Sequence, residues 1–334
     1  MLFGFITGAA LLGAALMSLA LNLPVTGDDG GTGLRLREAV TLAVDDLRAQ
    51  GVNVSVISPH GAEAVENAHQ DEGTDNSMDV AAAPSIARAA ARENAHVVIG
   101  PLRTNVAVAE APTLRRLHEV AISGTAGGPS EPSSPVFRLA PSEQRLALTA
   151  YRAMRRSFGS RICVLNDGSD DGRRRAAIIS ALPGVIVRGN CVAQADAVYF
   201  STTSREPVFC SARTATRAGP HRLLVEVSHR GFDPTDFIRA GPLFRAEATP
   251  LARTPAMLAV AQRYHARAFV LPDDAALRTY AAVQIGVQAI RRAGSTQKLA
   301  AVLRTQTFST ILGPMRFAAD GDPVSGAVRV VRLN

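Results

Sequence analysis

Short runs rich in β-branched and aliphatic residues alternate with longer stretches of helical period, and that alternation admits few folds: parallel sheets whose strands are joined by crossover helices. Two such series are present. In the first, residues 19–23, 53–57, 96–99 and 120–122 read as strands. Helices fall over 34–50, where Leu36, Val40, Leu42, Val44 and Leu47 recur near helical spacing before Gly51, and over the alanine-rich 79–94. The polar stretch 58–77 reads as a loop. In the second series, 161–165, 184–188, 197–200 and 223–227 read as strands, and 142–158, 173–182 and 207–217 as helices. Between the two lies Gly127-Gly128-Pro129-Ser130-Glu131-Pro132-Ser133-Ser134-Pro135, a turn-rich segment that marks the approach to a boundary. Further on, 275–293 is an amphipathic helix closed by Gly294, and 315–317 with 327–331 flank Ala319-Asp320-Gly321-Asp322, a hairpin signal. At 334 residues the chain suits two α/β lobes, each with its own core.

A net charge of +7 raises the question of a nucleic-acid partner, and the distribution answers it. Lys298 is the single lysine, the arginines are dispersed, and the densest run, Arg173-Arg174-Arg175, stands among Asp167, Asp170 and Asp171. That pattern predicts a solvated helix face on which Asp171 and the three arginines are exposed and add little to ligand affinity. With no Trp and 5% aromatic residues, the chain also lacks the platforms on which bases or sugars stack.

The first charged residue is Asp28, so an uncharged apolar run precedes it, either a secretory leader or a membrane anchor. Small residues at Gly13/Ala15 and Ser18/Ala20 favour a leader, taken as residues 1–18, with the mature chain starting between Leu16 and Leu21. No cysteine lies near enough for a lipid attachment. Cys163, Cys191 and Cys210 show no C-x-x-C pair and no His at ligand spacing, so no metal site is expected. One pair could be oxidised in an exported chain, Cys191 with Cys210 closing the shorter loop, while Ile162-Cys163-Val164-Leu165 suits a cysteine used as buried apolar filling.

Catalytic patterns are missing from the sequence. Gly31-Thr32-Gly33 lacks the third glycine of a dinucleotide fingerprint, the stretch 71–79 resembles the start of a calcium loop but has Gly73 at an early ligand position and is followed by Ala82 where the bidentate Glu belongs, and neither H-E-x-x-H nor G-x-S-x-G occurs. A binding protein without cofactor is expected rather than an enzyme. The positive signal is a set of hydroxyl-and-glycine loops after strands: Pro24-Val25-Thr26-Gly27, Gly100-Pro101-Leu102-Arg103-Thr104, Ser123-Gly124-Thr125-Ala126-Gly127 and Ser201-Thr202-Thr203-Ser204. In open parallel sheets such loops converge at the carboxyl ends of the strands, where free N–H groups and hydroxyls suit a carboxylate.

An ordered set of segments resembles the periplasmic type I solute-binding proteins of branched-chain amino acid ABC importers. It runs from Leu23-Pro24-Val25-Thr26-Gly27 through Ala43-Val44-Asp45-Asp46, Val97-Val98-Ile99-Gly100-Pro101, Val120-Ala121-Ile122-Ser123 and Phe137-Arg138-Leu139-Ala140-Pro141-Ser142. It continues with Tyr280-Ala281-Ala282 and Gly313-Pro314-Met315-Arg316-Phe317 before Gly321-Asp322, and covers nearly the whole mature chain. The resemblance implies two Rossmann-like lobes with parallel sheets, residues 19–138 plus 254–311 and 139–253 plus 312–334, joined by three crossings near Leu139, Arg253 and Leu312. It further implies a monomer in the periplasm that closes on a small carboxylate-bearing solute, such as a branched-chain amino acid, and delivers it to permease subunits in the inner membrane. A ligand sensor of the same fold is the alternative.

By position, Thr104 matches the family's hydroxyl for the ligand carboxylate, and Thr125 with Ala126 matches the loop whose backbone contacts carboxylate and ammonium. Ser123 and Thr203 complete the ligand set from the loops after strands. Gly127 stands where another hydroxyl is usual, Thr32 and Asp171 where aromatics often contact the ligand, and Glu226 near the acidic partner of the ammonium. Arg103 could point either way. One departure is structural: about ten residues separate the strands 184–188 and 197–200, where the family has a helix, so this crossover must be pared down or rewired.

Overall fold

A computed structural model describes residues 16–27, 29–57, 80–187, 191–202, 222–227 and 243–332. Five parallel strands form the first sheet: β1 (Met17–Leu21), β2 (Val54–Ile57), β3 (Val97–Ile99), β4 (Ala121–Ser123) and β5 (Val136–Arg138), in the order β2-β1-β3-β4-β5. Its central strands are continuous apolar runs because both faces are covered. The two-residue period of a strand divides the side chains between two cores. Leu19, Leu21, Val97, Ile99 and Ile122 join Leu36 and Val40 of α1 (Gly30–Ala49), whereas Ala20, Val98 and Ala121 meet α2 (Ala83–Arg92) and α3 (Thr104–Leu117) through Ala87, Ala90, Ala107, Ala111 and Leu114. Small residues on that second face let the helices approach closely.

The second sheet has the order β13-β10-β9-β8-β6-β7, from β6 (Ile162–Asn166), β7 (Val185–Ile186), β8 (Ala197–Thr202), β9 (Arg222–Val227), β10 (Leu243–Ala248) and β13 (Val328–Arg332). Its core joins Ile162, Val164 and Tyr199 to Ala147, Ala150 and Met154 of α4 (Glu143–Ser157) and to Ala176 and Ile179 of α5 (Asp170–Ser180). Both helices start at a serine cap, Ser142 accepting from Arg145 N and Ser169 from Gly172 N, and both carry acid in the first turn.

The chain then returns to the first lobe as α6 (Pro255–Ala268), α7 (Asp274–Ala293), α8 (Thr296–Thr305) and the hairpin β11 (Phe308–Thr310) with β12 (Gly313–Met315). α7 lies against α1 and the first sheet, and its Tyr280, Ala281, Val283 and Ile285 belong to the same core as Leu19 and Val40. Three passages connect the sheets: residues 139–142, 249–254 and 316–327. The last lies beyond Leu312, because Ile311, Met315 and Phe317 are all packed into the first-lobe core.

Three expectations need correction. Residues 315–317 and 327–331 do not form a hairpin: β12 pairs with β11, while β13 runs antiparallel to β10 over five register pairs and covers that sheet edge. Only the turn itself survives, as a single bridge between Phe317 and Pro323 around Gly321. The cysteine pair is also different. Cys163 bonds to Cys191, and Cys210 lies outside the described residues. Ile162 and Val164 face α4 and α5, so Cys163 between them projects from the opposite face of β6. There the described part of the crossover from β7 to β8 contains a 3-10 turn, Cys191–Gln194, and the disulfide ties that turn to the strand it must pass. Finally, Arg173-Arg174-Arg175 is not a uniformly exposed run, as detailed below. The expected helix over 207–217 and the loop over 58–77 lie outside the described residues.

Candidate interlobe ligand site

At the carboxyl end of the first sheet the loops after β3 and β4 are knitted into one unit. Ser123 Oγ donates to Pro101 O at 2.7 Å and accepts from the N–H groups of Thr125 and Ala126 at 3.1 and 2.8 Å. Thr125 Oγ1 donates to Leu102 O at 2.7 Å, and Gly127 N donates to Thr104 Oγ1 at 2.8 Å. Thr104, Ser123, Thr125 and Ala126 are therefore brought together, with Thr104 opening α3. Arg103 turns to Asp29 in an ion pair. Thr32 lies in the first turn of α1 and accepts from Arg35.

The second lobe meets this unit at Gly127, whose carbonyl accepts from Glu143 N at 2.8 Å. A Cβ on Gly127 would stand 2.9 Å from Glu143 Cγ and 3.4 Å from Thr104 Oγ1, so the missing hydroxyl residue leaves room for the glutamate to run beside Thr104. The Glu143 carboxylate is gripped by Arg174 through two hydrogen bonds of 2.9 and 3.1 Å and lies 3.2 Å from Arg175 Nε. Arg174 also donates to Asp171 Oδ1 at 2.8 Å. Burial weakens the Arg174 charge, but the bonds and charges of Glu143 and Asp171 outweigh it and hold the guanidinium pKa above its ordinary value.

The arginine run thus behaves differently at each position. Arg173 is 60% exposed and pairs with Asp170, Arg174 is 28% exposed, and Arg175 is 2% exposed. The buried face of α5 carries Gly172, Arg175, Ala176 and Ile179, a helical spacing that draws Arg175 inward, and Glu143 supplies its counter-charge. Asp171 is likewise largely covered, at 13%. Glu143, Arg174 and Arg175 are the residues that sequence reasoning missed at this junction. The available signal was Ser142-Glu143, a cap followed by an acid that starts a helix at the first passage.

Across the second sheet, Asn166, Ser201 and Glu226 share one register row at the carboxyl ends of β6, β8 and β9. The backbone thereby sets position 226 beside the loops expected to face the cleft, while Thr203 lies outside the described residues. Among the described residues no cluster of three metal-binding side chains occurs, and no helix is long and apolar enough to cross a membrane.

A family model described as periplasmic binding protein matches residues 17–182 and 192–334. No curated protein sequence matches the chain. Among solved structures, an ABC transporter substrate-binding protein from Desulfitobacterium hafniense in complex with Leu is 17% identical, with 96% of this chain and 97% of that one covered and a TM-score of 0.67. The leucine-binding protein LivK of Thermotoga maritima is 18% identical over 94% of each chain, with a TM-score of 0.68. A solute-binding protein of R. palustris in complex with benzoate is 16% identical over 96% and 94% of the two chains, with a TM-score of 0.64. Identities this low establish a common fold and leave the ligand open.

Proposed function

The chain belongs to the periplasmic binding protein family, and we propose that it captures a small carboxylate-bearing solute between its lobes and delivers it to the permease of an ABC importer. The observation that carries this reading is the junction at Gly127: the hydroxyl loops of the first lobe and the start of α4 in the second meet at the carboxyl ends of the strands. Three connecting passages suit a hinge that opens and closes this junction. One lobe comprises residues up to 138 with 254–315, Phe317 still packing against it, and the other comprises 139–253 with β13 after the third passage. The protein acts as a monomer, with solute and permease as its partners and no catalytic step.

Melting temperatures measured with leucine, isoleucine and benzoate, together with their amides and uncharged solutes, test the reading. An acid that raises the midpoint supports capture; a panel with no effect removes it. Thr104 Oγ1 takes its hydrogen bond from Gly127 and keeps its own proton for a ligand oxygen. Thr104→Val is therefore expected to weaken the binding acid about tenfold, as one charge-assisted bond would, with calorimetry as the readout.

Export also makes a prediction about processing. Ala20 is fully buried in β1, which pairs with β2 on one side and β3 on the other, and Ser18 bonds to Ser55 and His96. A cut after Ser18 or Ala20 would remove residues from the middle of the sheet. Cleavage after Ala15 leaves β1 intact, so intact-mass measurement of periplasmic protein should give a chain starting at Leu16. A start at Leu21 would refute the assignment.

A further inference from the structure

The first-lobe hydroxyls have little left to offer an anion. Ser123 and Thr125 have given their protons to Pro101 O and Leu102 O, and the Thr125 and Ala126 N–H groups are taken by Ser123 Oγ. The arginines around the junction are neutralised as well: Arg103 by Asp29, Arg174 and Arg175 by Glu143 and Asp171. A carboxylate entering from water needs donors to replace its hydration.

Arg278 on α7 is different. It forms neither a hydrogen bond nor an ion pair with any described residue. The neighbouring acids are engaged elsewhere, Asp274 with Leu251 N and Arg253 and Asp273 with Ala276 N at the helix cap. Its position is tied to the ligand loop: a Cβ on Gly124 would stand 3.2 Å from the carbonyl carbon of Arg278 and 2.7 Å from Thr279 Oγ1. Gly124 follows β4, so the N-terminal turns of α7 lie at the carboxyl end of the sheet. Helical side chains lean toward their own N-terminus, which directs the long Arg278 side chain to the cleft end. Burial holds its guanidinium below the ordinary arginine pKa, against the pull of Asp274 and Asp273.

We propose that Arg278 binds the carboxylate of the captured solute in a two-pronged grip, which makes the receptor selective for organic acids and relieves it of any need for an ammonium group on the ligand. The inference rests on the capture reading and names the residue and ligand class that serve it. A planar guanidinium matches a carboxylate through two parallel N–H···O bonds, an arrangement that lysine cannot reproduce.

The test is calorimetric titration of leucine, benzoate and 3,4-dihydroxybenzoate, each against its amide, on the full protein and on Arg278→Gln and Arg278→Lys. At least one acid is expected to bind and its amide to fail. Arg278→Gln should lose about a hundredfold in affinity and Arg278→Lys about tenfold, with unliganded melting temperatures within about two degrees of the parent. If Arg278→Gln binds the acid within threefold of the parent, or an amide binds as well as its acid, the role of Arg278 is overturned while capture stands. If no acid, amide or uncharged solute binds the parent protein, the capture reading fails and this inference with it.

Discussion

Asp322→Ala lowers the unfolding free energy by about 3–5 kcal/mol, because it strips the counter-charge from an arginine that has no water to turn to. Arg138 is fully buried and Asp322 is 5% exposed. Asp322 Oδ1 accepts from Arg138 Nε at 2.9 Å and Nη2 at 2.8 Å, and Oδ2 accepts from Ser142 Oγ at 2.6 Å. Ser142 is at the same time the cap of α4, accepting from Arg145 N at 3.1 Å. One carboxylate therefore joins the end of β5, the first passage and the third passage. After its removal the guanidinium keeps the carbonyls of Pro129, Asp320 and Val136, none of which carries a full charge. The double variant Arg138→Met with Asp322→Leu should recover most of the loss, since the cost lies in the unpaired charge. Urea unfolding decides it; a change below about 1 kcal/mol for Asp322→Ala would show that water reaches the site.

This pair also shows where sequence reading stops. Val97-Val98-Ile99 and Ile162-Cys163-Val164 announce themselves as strands because burial on both faces demands unbroken apolar runs. β5 has three residues, follows a proline and contains a charge, so nothing local marks it. Its arginine is tolerated through an aspartate 184 positions away. Arg175 is the same case: three adjacent arginines read as a solvated face until Glu143, some thirty residues earlier, is brought beside them. β13 belongs to β10 rather than to the nearer strand because the open edge of the second sheet offers a longer ladder, a fact of tertiary arrangement. The hydroxyl loops were legible as a group, since Gly, Ser and Thr after a strand have a local meaning, but their mutual consumption of donors was not. That depends on which carbonyls the other loop presents. α3 carries a signal that the sequence analysis leaves unused, with Val106, Ala107, Glu110, Ala111 and Leu114 at helical spacing around an internal Pro112.

Glu110→Gln makes stability far less dependent on pH and leaves the protein about 3–5 kcal/mol more stable than the parent above pH 8. Glu110 lies on the inner face of α3, fully buried, and its carboxyl is pushed up to about 8 by burial, with the hydrogen bond from Asn22 acting against the shift. Asn22 Nδ2 donates to Oε2 at 2.8 Å, while Oε1 has no partner. Below about pH 4.5 the folded and unfolded chains both hold the proton, and the acid costs nothing in linkage. Between about 4.5 and 8 the unfolded chain releases it and the folded chain does not, so the folded state binds more protons and loses stability as pH rises. Each pH unit across that window is worth about 1.4 kcal/mol, and above about 8 the loss levels off. A glutamine keeps an acceptor for Asn22 and cannot ionise, so the variant should match the parent within about 1 kcal/mol at pH 4.5 and diverge upward from there. Glu119, another largely covered acid, is raised by burial to about 7 and should leave in the Glu110 variant a slope that ends near that pH, a smaller total loss over a shorter window. The same helix begins at Thr104 and packs its buried face toward the first sheet, so the protonated acid helps keep the ligand loop seated. Urea unfolding at pH 4.5, 6, 7 and 8.5 measures both curves; parallel profiles for parent and variant would mean that Glu110 ionises inside the folded protein at an ordinary pH.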